Sequence, residues 1–262
     1  MPIDVIANHA QIVAAINGFS SAYHADYLGV RHLVTPYVAE PAYANVAPLA
    51  FELSAVLCRW GAGRRKAPTV LPLSAVEETL MDPAVHAFLS RFASMPLTVL
   101  ALASGTHRTI GGVATTNALA AFDTDLHRVL LFMSNGILTN NTNVTYPMKA
   151  LLLLTGFMPA LDSQVRKGLG AAGITGMNLT QFTMPANVHT TEGMKLTRLP
   201  FLLADCLYHN SQLLTAAASS SNYPWLAAET GRLFDVLLFM QGSENHKIFS
   251  LVPSGHPWYH LP

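Results

Sequence analysis

A lone lysine and a lone aspartate stand out for the chemistry they could do. Lys149 enters the apolar run Ala150 to Leu154, and Asp162 follows a Gly156…Pro159 turn, at the start of the next helical stretch. Desolvation disfavours an ammonium, lowers a lysine's pKa and frees the amine to attack carbon. A nearby carboxylate opposes that shift, but can serve as a base or stabilise a developing cation. The same two residues also fit a lysine stem snorkelling from its helix and an aspartate acting only as an N-cap.

A second concentration of chemistry lies upstream. Arg59-Trp60-Gly61-Ala62-Gly63-Arg64-Arg65-Lys66 places four cations beside an aromatic ring and two glycines. Arginine grips phosphate and tryptophan stacks on bases, which suits nucleic acid. The alternative is a helix C-terminus decorated with the cations its dipole favours, with Trp60 as the last core residue.

These features stand out because charge is scarce. Only 11% of the 262 residues are charged, 15 basic and 15 acidic, and 51% are hydrophobic. The mean hydropathy is +0.32. That composition excludes a disordered chain and a coiled coil. A balanced charge provides no general positive field, so nucleic-acid binding would need a local patch. Low surface charge favours self-association, and a homo-oligomer is one expectation. The richest apolar run, Ala150 to Leu161, is broken by Thr155, Gly156 and Pro159. It is too short to span a bilayer. With no secretory pattern at Met1-Pro2-Ile3-Asp4, the expected location is cytoplasmic.

The elements that must position these residues read as helices. Leu53, Val56, Leu57 and Trp60 share one face, and so do Val85, Phe88, Leu89 and Phe92. Leu126, Val129, Leu130 and Met133 repeat the spacing, as do Leu233, Val236, Leu237 and Met240. The predicted fold class is all-α or mainly α. A single helical globular unit over 1–262 is expected, with a candidate lobe boundary near 104–120.

Local signals suggest the helix ends. Asp4 is expected to cap a first helix ending near Gly18, and Ser74 with Glu77 has capping-box spacing. Asp82-Pro83, Asp123 or Thr124, Tyr146-Pro147 and Asp162 read as further starts. Long helices are expected from Thr197 to Ser219 and from Pro224 to Gln241. Val30 to Val38, which contains Pro36, reads as extended, and Leu97 to Ala103 as strand or buried helix. Loops are expected at 61–72, 104–117 and 135–146.

Other motifs are weaker. Gly168-Leu-Gly170-Ala-Ala-Gly173 matches a dinucleotide fingerprint, but lacks the strand before it and the helix after it. Its glycines read better as a helix end and turns. His256 with His260, and Cys206 with His209, have spacings that could face one metal. No metal site or cofactor is predicted from them. Cys58 and Cys206 read as buried free thiols.

The stretch Pro159-Ala-Leu-Asp162-Ser-Gln-Val165-Arg166-Lys-Gly-Leu-Gly170 resembles the segment following the catalytic lysine in helix-hairpin-helix DNA glycosylases. The resemblance covers Lys149 to Gly173. Where the family has a Gly-rich hairpin, this chain has Asn140 to Pro147. The resemblance implies a two-lobed helical DNA-repair hydrolase that extrudes a damaged base and cleaves its glycosidic bond, or a relative that has lost activity. Lys149 would match the catalytic lysine and Asp162 the catalytic aspartate. Arg59, Trp60, Arg64, Arg65, Lys66 and Arg166 are the candidate nucleic-acid contacts. Two other readings stay open: a non-enzymatic module binding nucleic acid or protein through the Arg59 to Lys66 surface, and a binder of a small apolar ligand near Leu151 to Leu154.

Overall fold

The computed structural model describes residues 3–177, 181–244, 246–251 and 258–261. His256 lies outside them. The architecture is mainly helical, as the apolar spacing predicts. Strand β1 (Ile3–Val5) precedes α1 (His9–Gly18), α2 (Ser21–Ala39) and α3 (Tyr43–Arg59). Strand β2 (Thr69–Val70), α4 (Leu73–Met81) and α5 (Pro83–Ala93) follow. A hairpin of β3 (Leu100–Ala103) and β4 (His107–Ile110) leads into α6 (Thr116–Gly136) and β5 (Leu138–Thr139). The remainder is α7 (Thr145–Thr155), α8 (Ser163–Ala171), α9 (Thr191–Ser219), α10 (Thr230–Ser243) and β6 (Phe249–Leu251). The sheets are two-stranded and antiparallel: β1 with β6, β2 with β5, and β3 with β4.

Helix α7 is the centre of the body. Every residue from Pro147 to Thr155 is buried, Lys149 included. A helix apolar all round must sit inside, and α2, α3, α5 and α6 pack about it. It ends at Gly156, whose φ of +67° supplies a left-handed C-cap. Leu151 to Leu154 lie wholly within the core. The buried apolar residues form one connected cluster from Ile3 to Leu261.

Several boundaries differ from the sequence reading. Asp4 lies in β1, opposite Ser250, and does not cap. Asn8 caps α1 instead: its side chain accepts from the Gln11 amide at 3.0 Å, and Gln11 accepts from the Asn8 amide at 2.8 Å. Helix α4 starts after Pro72 without a side-chain cap, so Ser74 and Glu77 form no capping box. Asp123 does not start α6, which Thr115 caps. It is buried mid-helix because Arg108 and Arg198 hold its carboxylate, at 2.7 and 3.0 Å. Val30 to Val38 is helical. Pro36 falls near the end of α2 on its exposed side, while Tyr27, Val30, Val34 and Tyr37 face inward. Helix α9 begins at Thr191, capped by Thr190. Pro224–Ala227 forms a separate 3-10 turn before α10.

Candidate active site

Lys149 and Asp162 line one small cavity, of about 40 Å³. Helix α7 carries the lysine inward, and its Nζ donates to the Trp60 carbonyl at 2.8 Å. The ammonium also lies 4.9 Å from the centre of the Tyr146 ring. Burial pulls the Lys149 pKa below the ordinary lysine value, and Asp162 and Asp235 oppose that shift.

Asp162 is half-buried at the N-terminus of α8. Its Oδ1 accepts from the Gln164 amide at 2.9 Å and the Val165 amide at 3.0 Å. It is therefore an N-cap, and one that also faces the cavity. The turn that presents it is held from three sides. Leu161 takes a left-handed φ of +47°, and the Arg166 guanidinium donates to its carbonyl at 2.6 Å. The Ala160 amide donates to Asp235 Oδ1 at 2.8 Å. Gly231 lets α10 reach the turn, since a Cβ there would strike the backbone of Gly156 and Phe157.

Two further charges at the cavity went unread in the sequence, although their i,i+3 spacing in the apolar stretch Leu233 to Leu238 was a usable signal. Arg232 is only 1% exposed, and its Nη1 pairs with Asp235 Oδ2 at 2.5 Å. Its Nη2 donates to the Tyr23 carbonyl at 2.9 Å. The guanidinium lies 5.1 Å from the Phe19 and Tyr27 ring centres and 5.5 Å from that of Trp60. Burial pushes the Asp235 carboxyl up, against the pull of Arg232 and the Ala160 amide.

The basic segment divides into two parts. Arg59 is matched by acids, 2.7 Å from both Asp26 and Glu52. Trp60 is largely buried, and its indole donates to Asp26 at 2.9 Å. Arg64, Arg65 and Lys66 are exposed on the turn that follows. Trp60, where this turn begins, lines the cavity, and a Cβ at Gly61 would lie 3.0 Å from the Tyr146 hydroxyl. The β2–β5 pairing ties the turn to the entry of α7. Arg166 is buried rather than on a binding surface, with Nη1 donating to Leu161 and Thr145.

The segment 140–147 makes internal contacts. The Val144 amide donates to the Phe182 carbonyl at 2.9 Å, and Thr142 accepts from the Met184 amide at 2.9 Å. Gly168 and Gly170 lie in the last turn of α8, their carbonyls accepting from the Ala172 amide, and Gly173 makes the turn after it, as the sequence suggests. Cys206 is buried and its thiol pushed up by desolvation, whereas Cys58 is exposed rather than buried. Among the described residues, no group of three or more His, Cys, Asp or Glu side chains could hold a metal. No helix there is long and apolar enough to cross a membrane. No family model, curated protein or solved structure matches this chain.

Proposed function

We propose that the chain is a base-excision-type DNA glycosylase/lyase with Lys149 as its nucleophile. The observation that carries this reading is the shared cavity, which a desolvated amine and the cap carboxylate of α8 both line without forming an ion pair. Burial increases the fraction of neutral amine available to attack a sugar carbon. Asp162 has its Oδ1 fixed by two amides, so it can act at a defined position as a base or beside a developing cation. The order of lysine, turn and Asp-Ser-Gln-Val agrees with the glycosylase resemblance. Arg64, Arg65 and Lys66, exposed on the turn that follows the cavity-lining Trp60, would serve as a local phosphate-binding patch on a chain of zero net charge.

Borohydride trapping tests the proposal. The protein is incubated with abasic and base-damaged duplexes, reduced, and resolved under denaturing conditions. A covalent protein–DNA adduct is expected, and it should vanish in Lys149→Arg, which keeps a donor for the Trp60 carbonyl but has no primary amine. No adduct on any duplex, or an adduct that survives in folded Lys149→Arg, refutes the assignment.

A further inference from the structure

We propose that the groove between the β3–β4 hairpin and α9 is a second site, which binds a small primary alkylammonium compound with its charge on Asp205. The groove has a volume of about 690 Å³ and shares no residue with the Lys149 cavity. Sites for small molecules run to roughly 300–1,000 Å³. Its acceptors, walls and mouth each suit one part of such a ligand.

The acceptors come from one face of α9. Asp205, Tyr208 and His209 stand at i, i+3 and i+4, which brings them together along the groove. The Asp205 side chain is 4% exposed, and its Oδ2 has no hydrogen-bond partner. A buried carboxylate oxygen left unmatched costs free energy that a donor on a ligand would recover. His209 does not fill that role. Its Nδ1 lies 3.0 Å from the Asp205 carbonyl, which can only accept, so that nitrogen carries a hydrogen directed at the backbone. The same nitrogen is 3.8 Å from Asp205 Oδ1, and Oδ2 stays unmatched. In the neutral ring, Nε2 is then a second acceptor. Burial pushes the Asp205 carboxyl up and His209 opposes the shift, while Asp4 adds to it.

Unmet acceptors beside negative charge match a cation that donates hydrogen bonds. A primary ammonium is compact and presents several N–H donors. A metal ion needs more ligands than Asp205 and His209 offer, and among the described residues no third His, Cys, Asp or Glu joins them. The walls suit an aliphatic body, since Ala101, Leu102 and Ala103 of β3 line the groove with hydrocarbon and leave room. Tyr208 stands at the mouth, 77% exposed, its ring edge-on to His209 at 5.2 Å between centres. An aromatic face attracts an ammonium. The sign of the charge is wrong for a DNA phosphate, so this site is separate from the proposed nucleic-acid surface.

Calorimetric titration of the full chain with n-hexylamine, protonated at neutral pH, tests the site. The comparators are 1-hexanol, which is neutral, and hexanoate, which is anionic. Saturable binding of hexylammonium is expected, about tenfold or more tighter than either comparator, as a charge-assisted hydrogen bond provides. Asp205→Asn keeps the shape, removes the charge and should weaken binding by a similar factor. Ala103→Phe, at an exposed position of β3, should fill the groove and block binding while leaving Asp205 in place. Absence of saturable binding, equal affinity for hexanol, or unchanged affinity in Asp205→Asn each overturns the proposal. Undiminished binding in folded Ala103→Phe also overturns it, since the cation would then sit outside the groove.

Discussion

His24 makes the fold sensitive to acid. The imidazole is 2% exposed, and neither ring nitrogen has a hydrogen-bond partner. Its ring lies 4.0 Å from that of Tyr223, 5.1 Å from Phe19 and 5.4 Å from Trp225. Desolvation first, then the charge of Arg232, lowers its pKa from 6.5 to about 3. The unfolded chain therefore binds a proton between those values that the folded chain refuses, and stability falls as pH drops through that window. Full coupling corresponds to about 2 kcal/mol lost between pH 7 and pH 5. Other groups titrate in the same range, so the assay compares urea unfolding of wild type and His24→Phe at both pH values. Phenylalanine keeps the aromatic contacts and cannot be protonated. The wild type should lose up to about 2 kcal/mol more than the variant on acidification. Equal losses would show that His24 accepts its proton in the folded state, and the burial argument would fail.

Two substitutions probe the frame around the cavity. Gly168→Ala would place a Cβ on the backbone carbonyl of Leu238, so α8 and α10 must separate; a loss of about 1–3 kcal/mol or more is expected in chemical denaturation, and an unchanged midpoint would contradict the close approach. Asp235→Ala strips the partner from an arginine that is 1% exposed. It should cost roughly 3–5 kcal/mol, whereas replacing Arg232 and Asp235 together with apolar residues should recover much of that loss. A neutral single variant would show that the pair is not held as described.

Periodicity disclosed the helices, because an apolar face at 3.6-residue spacing is a local signal. Two of the misplaced boundaries share a physical cause. Asp4 and Asp123 are held by partners outside their own elements, Ser250 for the first and Arg108 with Arg198 for the second, while the expected loops 61–72 and 135–146 are joined only by the two-residue pairing of β2 and β5. Local propensity carries no term for such pairings. Pro36 misled in the opposite sense, since a proline near a helix end loses a single backbone bond, while four inward residues of α2 hold the helix in place. The paired glycines Gly168 and Gly242 were opaque for another reason: their role is the distance between two helix backbones, which appears only once both are packed.

Half of the cavity's charge was legible. Lys149 and Asp162 stood out because each is isolated among apolar residues, but Arg232 and Asp235 were obscured by the regular face of α10. Together the four carry two positive and two negative formal charges. Loss of the Lys149 proton, which desolvation promotes, would leave one negative charge in excess. Under the proposed chemistry a protonated imine on Lys149 would restore the missing positive charge at nearly the same place. The attraction of Asp162 and Asp235 that opposes deprotonation then favours the covalent cation. A small, desolvated cavity with this charge balance thus disfavours the resting ammonium less than complete isolation would, and would stabilise a covalent cation for the same electrostatic reason.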